Sequence, residues 1–148
     1  MPARSGWELT PRQSVERECA RRGPVQVVAG CAGLLRGQQD VDDNLIMALG
    51  GPAGRIVLDD GPRQRNQYWR RVWGARGLLY VWDDSAEDAV IGALGDEHWR
   101  VREMAAKVVA RRRIDSALEP VTGLRNDPVP RVRAAAERAI VMLTAAGA

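Results

Sequence analysis

Several residue types that mark metal sites, enzymes and secreted proteins are scarce in this 148-residue chain. It has one histidine and only two cysteines, Cys19 and Cys31, too few for a disulfide framework, and no Cys/His spacing typical of zinc. No apolar run approaches the roughly 20 residues that a membrane span requires. The first residues, Met1 to Trp7, lack the apolar core of a signal peptide. These absences predict a reduced, cytoplasmic protein with no membrane segment, metal or cofactor.

Lysine is nearly missing too: Lys107 is the only one, so almost every cation is an arginine. The planar guanidinium suits bidentate recognition of phosphate and carboxylate, although a GC-rich coding bias would produce the same composition. The net charge of +3 permits nucleic-acid binding without arguing for it. Catalytic constellations are also missing, and the lone His98 is expected to be a solvent-facing residue at a helix start. We therefore predict no catalytic residue.

What the chain does contain is an internal repeat. Residues 96–105, DEHWRVREMA, return as residues 127–136, DPVPRVRAAA, at an offset of 31. Each copy is followed by an apolar run of helical period, and repetition at this period is the signature of a helical solenoid. A fainter copy sets Trp69 and Arg70 against Trp99 and Arg100 at an offset of 30. That alignment places Arg71 at the position of Val101 and Val132.

At these residues the chain resembles the HEAT repeat family, in which each unit is two antiparallel helices. Asp96 and Asp127 match the family's turn aspartate, and Arg102 and Arg133 match the arginine of its second helix. The resemblance implies an all-α fold, a short right-handed α-solenoid. It also implies a structural ladder in which turn aspartates and helix arginines bond between neighbouring units, formed here by Asp96, Arg102, Asp127 and Arg133.

Residues 1–148 are predicted to form a single repeat domain of about four helix pairs. Capping residues, prolines and glycines place the pairs at about residues 10–38, 40–82, 84–112 and 115–145. The Gly- and Pro-rich residues 51–65 fit no helical period of useful length, and they are predicted to be an insertion in the second pair. A long helix is predicted over residues 68–82.

One face of that long helix collects aromatic residues away from the predicted core. Two Trp, an Arg and a Tyr follow the i, i+4, i+7, i+11 spacing of a single helix face. Trp, Tyr and Arg are the residues that contribute most to protein interfaces, and in HEAT-like solenoids the second helices line the concave surface. The alternative is that residues 51–65 cover these rings in a small core of their own. The predicted partner-binding residues are Trp69, Trp73, Arg76, Tyr80, Trp99, Arg102 and Glu103.

The resemblance implies a non-enzymatic binding module or adaptor that holds a protein or peptide on its concave face. The alternative is DNA binding, as in the HEAT-like alkylpurine DNA glycosylases, whose concave cleft carries Trp, Arg and Asp. The nearest equivalent here is Trp99 with Glu103. A third possibility, the HEAT-like bilin lyases, is supported by the repeat alone. For DNA, the phosphate contacts would come from Arg70, Arg71, Arg76, Arg100, Arg102, Arg131 and Arg133.

The last predicted helix carries apolar residues that do not fit its inward stripe. Val141 and Met142 fall away from the face on which Ile140 and Leu143 lie. A solenoid needs a polar outer face on its terminal unit. We therefore expect this edge to pack against another molecule, most simply a second copy of the chain in a homodimer.

Overall fold

The computed structural model describes residues 9–60 and 65–145, and at Arg65 only the backbone. Residues 1–8, 61–64 and 146–148, which include the ends of the predicted domain and part of the predicted insertion, lie outside the described residues. The described residues form α-helices and short 3₁₀ turns, and none of them is in a β-strand. The helices are α1 (Pro11–Arg22), α2 (Pro24–Leu35), α3 (Asp43–Gly50), α4 (Pro52–Asp60), α5 (Tyr68–Gly77), α6 (Glu87–Ala93), α7 (Trp99–Arg112), α8 (Leu118–Gly123) and α9 (Pro130–Ala145).

Local sequence signals set the ends of the first two helices. The Thr10 hydroxyl accepts a hydrogen bond from the backbone N–H of Gln13, whose side chain accepts one from the Thr10 N–H, so a complete capping box starts α1. Gly23 ends α1 with φ of 93°, a conformation that favours glycine. Pro24 then takes the first position of α2, where its missing N–H has no cost.

The helices are arranged as four antiparallel pairs, α1/α2, α3/α5, α6/α7 and α8/α9, which confirms the predicted all-α, HEAT-like solenoid. The second helices α2, α5, α7 and α9 pack side by side in one layer. Small residues allow the close approach within that layer. A Cβ added to Gly74 would lie 2.6 Å from the carbonyl oxygen of Cys31 and 2.9 Å from Cβ of Leu34, so α5 lies directly on α2.

The predicted insertion is largely helical, and the expectation that residues 51–65 fit no helical period is wrong. Helix α4 crosses α3 closely, since a Cβ on Gly54 would lie 3.0 Å from the carbonyl oxygen of Ile46. Val57 is buried, but its neighbour Ile56 is 58% exposed. The amide of Gln67 donates to the carbonyl of Val57 over 3.2 Å, which ties α4 to the turn before α5. Helix α4 has nine residues, and the proline and glycine near its start are the reason that the sequence pattern did not predict it.

The repeat period is 31 residues from the second unit to the fourth, so the predicted offset of 30 for the second unit is wrong. Arg71 pairs with Asp96 over the same 25-residue separation at which Arg102 pairs with Asp127. Arg71 therefore occupies the position of Arg102, and its neighbour Arg70 occupies the buried position of Val101. The guanidinium of Arg70 donates to the backbone carbonyl of Gln39, 3.2 Å away.

Candidate binding site

The predicted aromatic face of α5 is divided by the structure. Trp73 is only 4% exposed, so its predicted place on an open face is wrong. A Cβ built on Gly50 would lie 2.6 to 2.8 Å from three carbons of the Trp73 ring. Glycine at the end of α3 therefore makes room for the indole, and Trp73 is part of the main core. The ring packs against α3, and Trp73 belongs to the same core cluster as Val57 of α4, so the insertion and the ring do not form a separate core.

Arg76 and Tyr80 also turn away from a common surface with Trp69. The guanidinium of Arg76 donates to the backbone carbonyl of Leu49 in α3, and burial lowers the pKa of Arg76. Helix α5 ends at Gly77 instead of continuing to residue 82, so the helical spacing that placed Tyr80 on the Trp69 face does not hold. Tyr80 instead lies beneath the guanidinium of Arg12 in α1, 5.6 Å from its ring centroid.

Trp69 and Trp99 do remain together, and two arginines join them. The guanidinium carbon of Arg100 lies 5.2 Å from the ring centroid of Trp69 and 4.5 Å from that of Trp99. Arg131 covers Trp99 at 5.1 Å. All four residues are only partly buried or exposed. We call Trp69, Arg100, Trp99 and Arg131 the Arg–Trp row; it runs across the N-terminal ends of α5, α7 and α9.

The register of the repeat explains this row. Trp69, Arg100 and Arg131 are separated by 31 residues each, so they are the same position in three consecutive units. Trp99 is the residue just before Arg100, at the first position of α7. An alignment at a uniform offset of 31 would have found the row from the sequence, because it places an arginine of one unit beside a tryptophan of the preceding unit.

Glu103 anchors one end of the row from a buried position. Glu103 is 6% exposed, and its carboxylate accepts two hydrogen bonds from Arg131, at 2.8 and 3.1 Å. Lys107 approaches the same carboxylate at 4.0 Å. Arg131 is therefore held by a carboxylate, whereas the Arg100 side chain takes part in no salt bridge among residues 9–60 and 65–145. The Arg100 guanidinium lies over two indole rings, and its N–H groups take part in no such ion pair within those ranges.

Two of the residues predicted for the ladder, Arg102 and Asp127, are bonded to each other. Arg102 donates to both carboxylate oxygens of Asp127, at 2.7 and 3.2 Å, and to the backbone carbonyl of Asp96 at 2.9 Å. Burial acts to raise the pKa of Asp127, but the hydrogen bonds from Arg102 and from the Val129 N–H outweigh it and lower that pKa. Arg133 makes the equivalent bond to the backbone carbonyl of Asp127, 2.7 Å away. Arg102 is thus placed in the ladder and not on the Arg–Trp row.

His98 is a helix cap and not a free surface residue. Its Nδ1 accepts a hydrogen bond from the backbone N–H of Arg100, 3.2 Å away, at the start of α7. The imidazole stacks on the Tyr68 ring with centroids 3.6 Å apart and planes 7° from parallel. Burial, and then the charge of Arg100, lower the pKa of His98. The Tyr68–His98 stack therefore joins the second and third units.

Other candidate chemistry is sparse in the described part of the chain. Cys19 and Cys31 are both free thiols, and burial, with a smaller contribution from Cys19, raises the pKa of Cys31 to about 12. No group of three or more His, Cys, Asp or Glu side chains that would hold a metal ion occurs among the described residues.

The same part of the chain holds no helix that is both long and apolar enough to cross a membrane.

The fold and this surface define an α-solenoid, a protein of stacked helix pairs in which one layer of second helices offers a long face. The family model described as HEAT repeats matches residues 64–141, more than half of the chain. The chain therefore belongs to the HEAT repeat family, and HEAT repeats in general mediate interactions between proteins. Searches of curated proteins and of solved structures found no significant match.

Proposed function

We propose that the chain is a non-enzymatic binding module that holds a protein or peptide partner on the face formed by α5, α7 and α9. The observation that carries the proposal is the Arg–Trp row. Tryptophan and arginine dominate the residues whose truncation costs most at interfaces. Here two indoles and two guanidinium groups from three consecutive units lie together while remaining reachable by solvent.

The position of Arg100 favours a partner that places two hydrogen-bond acceptors against its guanidinium. The Arg100 guanidinium lies over the rings of both Trp69 and Trp99, and these contacts restrict its side chain, so less side-chain freedom remains to be lost on binding. A carboxylate, or a backbone carbonyl pair of an extended peptide, matches that geometry. Cation–π contacts with Trp69 and Trp99 hold the guanidinium in place. The rings add apolar area around the polar contact.

Most of the arginines that DNA binding would need already form hydrogen bonds or ion pairs within the protein. Arg71 and Arg102 are bound to ladder carboxylates and Arg131 to Glu103. Arg70, Arg76 and Arg133 donate to backbone carbonyls. These contacts occupy part of each guanidinium and offset its charge or fix its position, which leaves fewer free donors for phosphate and favours the peptide-binding proposal.

A selection of random peptides displayed on phage, followed by titration of the enriched peptides, tests the proposal. Trp99→Ala and Trp69→Ala should each weaken binding by roughly thirtyfold, the equivalent of about 2 kcal/mol for one aromatic anchor. Trp82→Ala is the matched control, because Trp82 lies off the row, bonded to Asp84 and covered by Arg112. Loss of binding in the control as well, or in neither row variant, would refute the site.

A titration with duplex DNA at two salt concentrations separates the nucleic-acid alternative. Binding through phosphates must weaken steeply as salt rises, because condensed counterions are released. Tight, strongly salt-dependent DNA binding that Trp99→Ala reduces would replace the peptide proposal. We expect weak DNA binding at both salt concentrations.

A further inference from the structure

A groove of about 650 Å³ continues the same face beyond the Arg–Trp row, toward the C-terminal ends of α7 and α9. Its floor is apolar and is made by Leu79, Ala110, Ala135, Val141 and Met142. Val141 is 58% exposed and Met142 37%. Apolar groups left open along a groove between two helices are typical of a surface that receives a partner.

The rim of this groove is basic. Lys107, Arg111 and Arg138 line it, and Arg111 and Arg138 take part in no salt bridge among the described residues. The single carboxylate of the rim, Glu137, is already bound by Arg125 at 2.8 Å. The charge that the groove presents is therefore positive, on a chain whose net charge is +3.

The repeat shows why the groove opens at this end of the described helices. Lys107 and Arg138 stand at the position of Arg76, and Met142 stands at the position of Tyr80, at offsets of 31 or 62. In the second unit Arg76 is engaged by α3 and Tyr80 lies under Arg12 of α1. In α7 and α9 the equivalent residues border the groove instead.

We propose that the groove between α7 and α9 binds an acidic amphipathic helix of a protein partner. The proposal rests on the proposed function, because it names the partner's chemistry on the same face. A third helix fits a groove between two helices by ridge-into-groove packing, with apolar residues at i, i+4 and i+7 toward the floor. The groove residues of α9 span 135–142, about 10 Å at 1.5 Å per residue, or two turns of a bound helix.

Charge complementarity decides between this partner and a second copy of the chain. Acidic residues flanking an apolar stripe would face Lys107, Arg111 and Arg138, and like charges across an interface are costly. In a symmetric dimer through α9 the same surface of both copies meets. Such a dimer would bring Arg111 and Arg138 of both copies into one interface, while Glu137 stays bound to Arg125.

Two designed helical peptides test the proposal by fluorescence anisotropy with the full chain. They share a leucine stripe at i, i+4, i+7 and i+11, and carry either glutamate or lysine at all other positions. The glutamate peptide should bind, and the lysine peptide should bind at least about tenfold more weakly, a difference of about 1.4 kcal/mol. Equal binding of the two peptides, or none by the glutamate peptide, would overturn the proposal.

Matched variants locate the binding. Arg138→Glu should weaken the glutamate peptide by about tenfold or more, and Arg111→Glu with Arg138→Glu together should reverse the preference toward the lysine peptide. Arg55→Glu on α4 is the control for net charge, since its side chain is 66% exposed and remote in the chain from the groove. Equal effects of the control and of Arg138→Glu would mean that the peptide follows net charge and not the groove.

Two further readouts keep this inference separate from the proposed function. Peptides that require Trp99 but not Arg138 would leave the Arg–Trp row standing and overturn the groove. An acidic helix that requires Arg138, with no peptide requiring Trp69 or Trp99, would support the groove and refute the row. A dimer by analytical ultracentrifugation that Met142→Asp converts to a monomer would assign the groove to a second copy and overturn the acidic partner.

Discussion

Arg102 and Asp127 form a two-point ion pair that fastens α7 to the turn before α9, with nitrogen–oxygen distances of 2.7 and 3.2 Å. Arg71 and Asp96 repeat it one unit earlier, at 2.8 and 3.2 Å. Each aspartate also accepts a backbone N–H two residues later, so it shapes its own turn. The ladder therefore couples the conformation of each turn to the second helix of the preceding unit.

Removing one partner of this pair should destabilise the fold. Arg102→Met should lower the free energy of unfolding by about 1–3 kcal/mol, because the 4% exposed carboxylate of Asp127 loses its charged partner. Arg133→Met should cost less, since Arg133 donates a single bond to a backbone carbonyl. Urea denaturation measures both, with exposed Arg138→Met as the control. A double-mutant cycle with Asp127→Asn gives the coupling, and a coupling near zero would contradict the ladder.

Two glycines should respond to alanine in opposite directions. Gly74→Ala should destabilise the chain by about 1–3 kcal/mol, because the new Cβ meets the backbone of α2, 2.6 Å from the Cys31 oxygen. Gly92 is the second-last residue of α6 and has open space around it. Gly92→Ala should therefore stabilise by up to about 0.5 kcal/mol, less than the preference for alanine over glycine in a helix interior. The melting temperatures of the two variants test this prediction. A change in the same direction for both would refute the packing described for Gly74 and Gly92.

The repeat predicted the fold well because it is a strong signal in the third and fourth units. Asp96, Arg102 and Asp127 could be placed in a ladder from the sequence, and the structure pairs Arg102 with Asp127. The partner of Asp96 was missed, because the two adjacent Trp-Arg steps suggested an offset of 30. From the sequence alone, Arg70 and Arg71 look like two surface arginines. Their spatial neighbours are needed to place Arg71 at the ladder position and Arg70 at a core position.

The site was harder to predict because helical spacing gives a face but not what covers it. Trp69 and Trp73 are equally placed on the α5 face by their spacing, yet only Trp73 meets the side-chain-free Gly50 of α3. That contact depends on how α3 crosses α5, which no local pattern specifies. Tyr80 does not lie on this face, because α5 ends at Gly77, three residues before it.

Replacing Trp73 and replacing Trp99 should have different effects on stability. Trp73→Ala removes a 4% exposed indole from the core and should cost about 3–5 kcal/mol of unfolding free energy. Trp99→Ala removes stacking with Arg100 and Arg131 at the surface and should cost about 1 kcal/mol. Chemical denaturation of both variants tests this. Nearly equal losses would mean that Trp99 is as much a core residue as Trp73.

Lowering the pH should destabilise the chain through His98, the only histidine. Because burial and Arg100 lower its folded pKa, the unfolded chain binds the proton first as pH falls below its ordinary value near 6.5. The stabilisation is therefore complete above that pH and declines as pH falls toward the folded pKa. His98→Asn keeps a capping acceptor for α7 without a titratable ring. Urea midpoints of the native chain should fall between pH 7 and pH 5, whereas those of His98→Asn should change less; parallel profiles would show that the Tyr68–His98 stack is not the pH-sensitive contact.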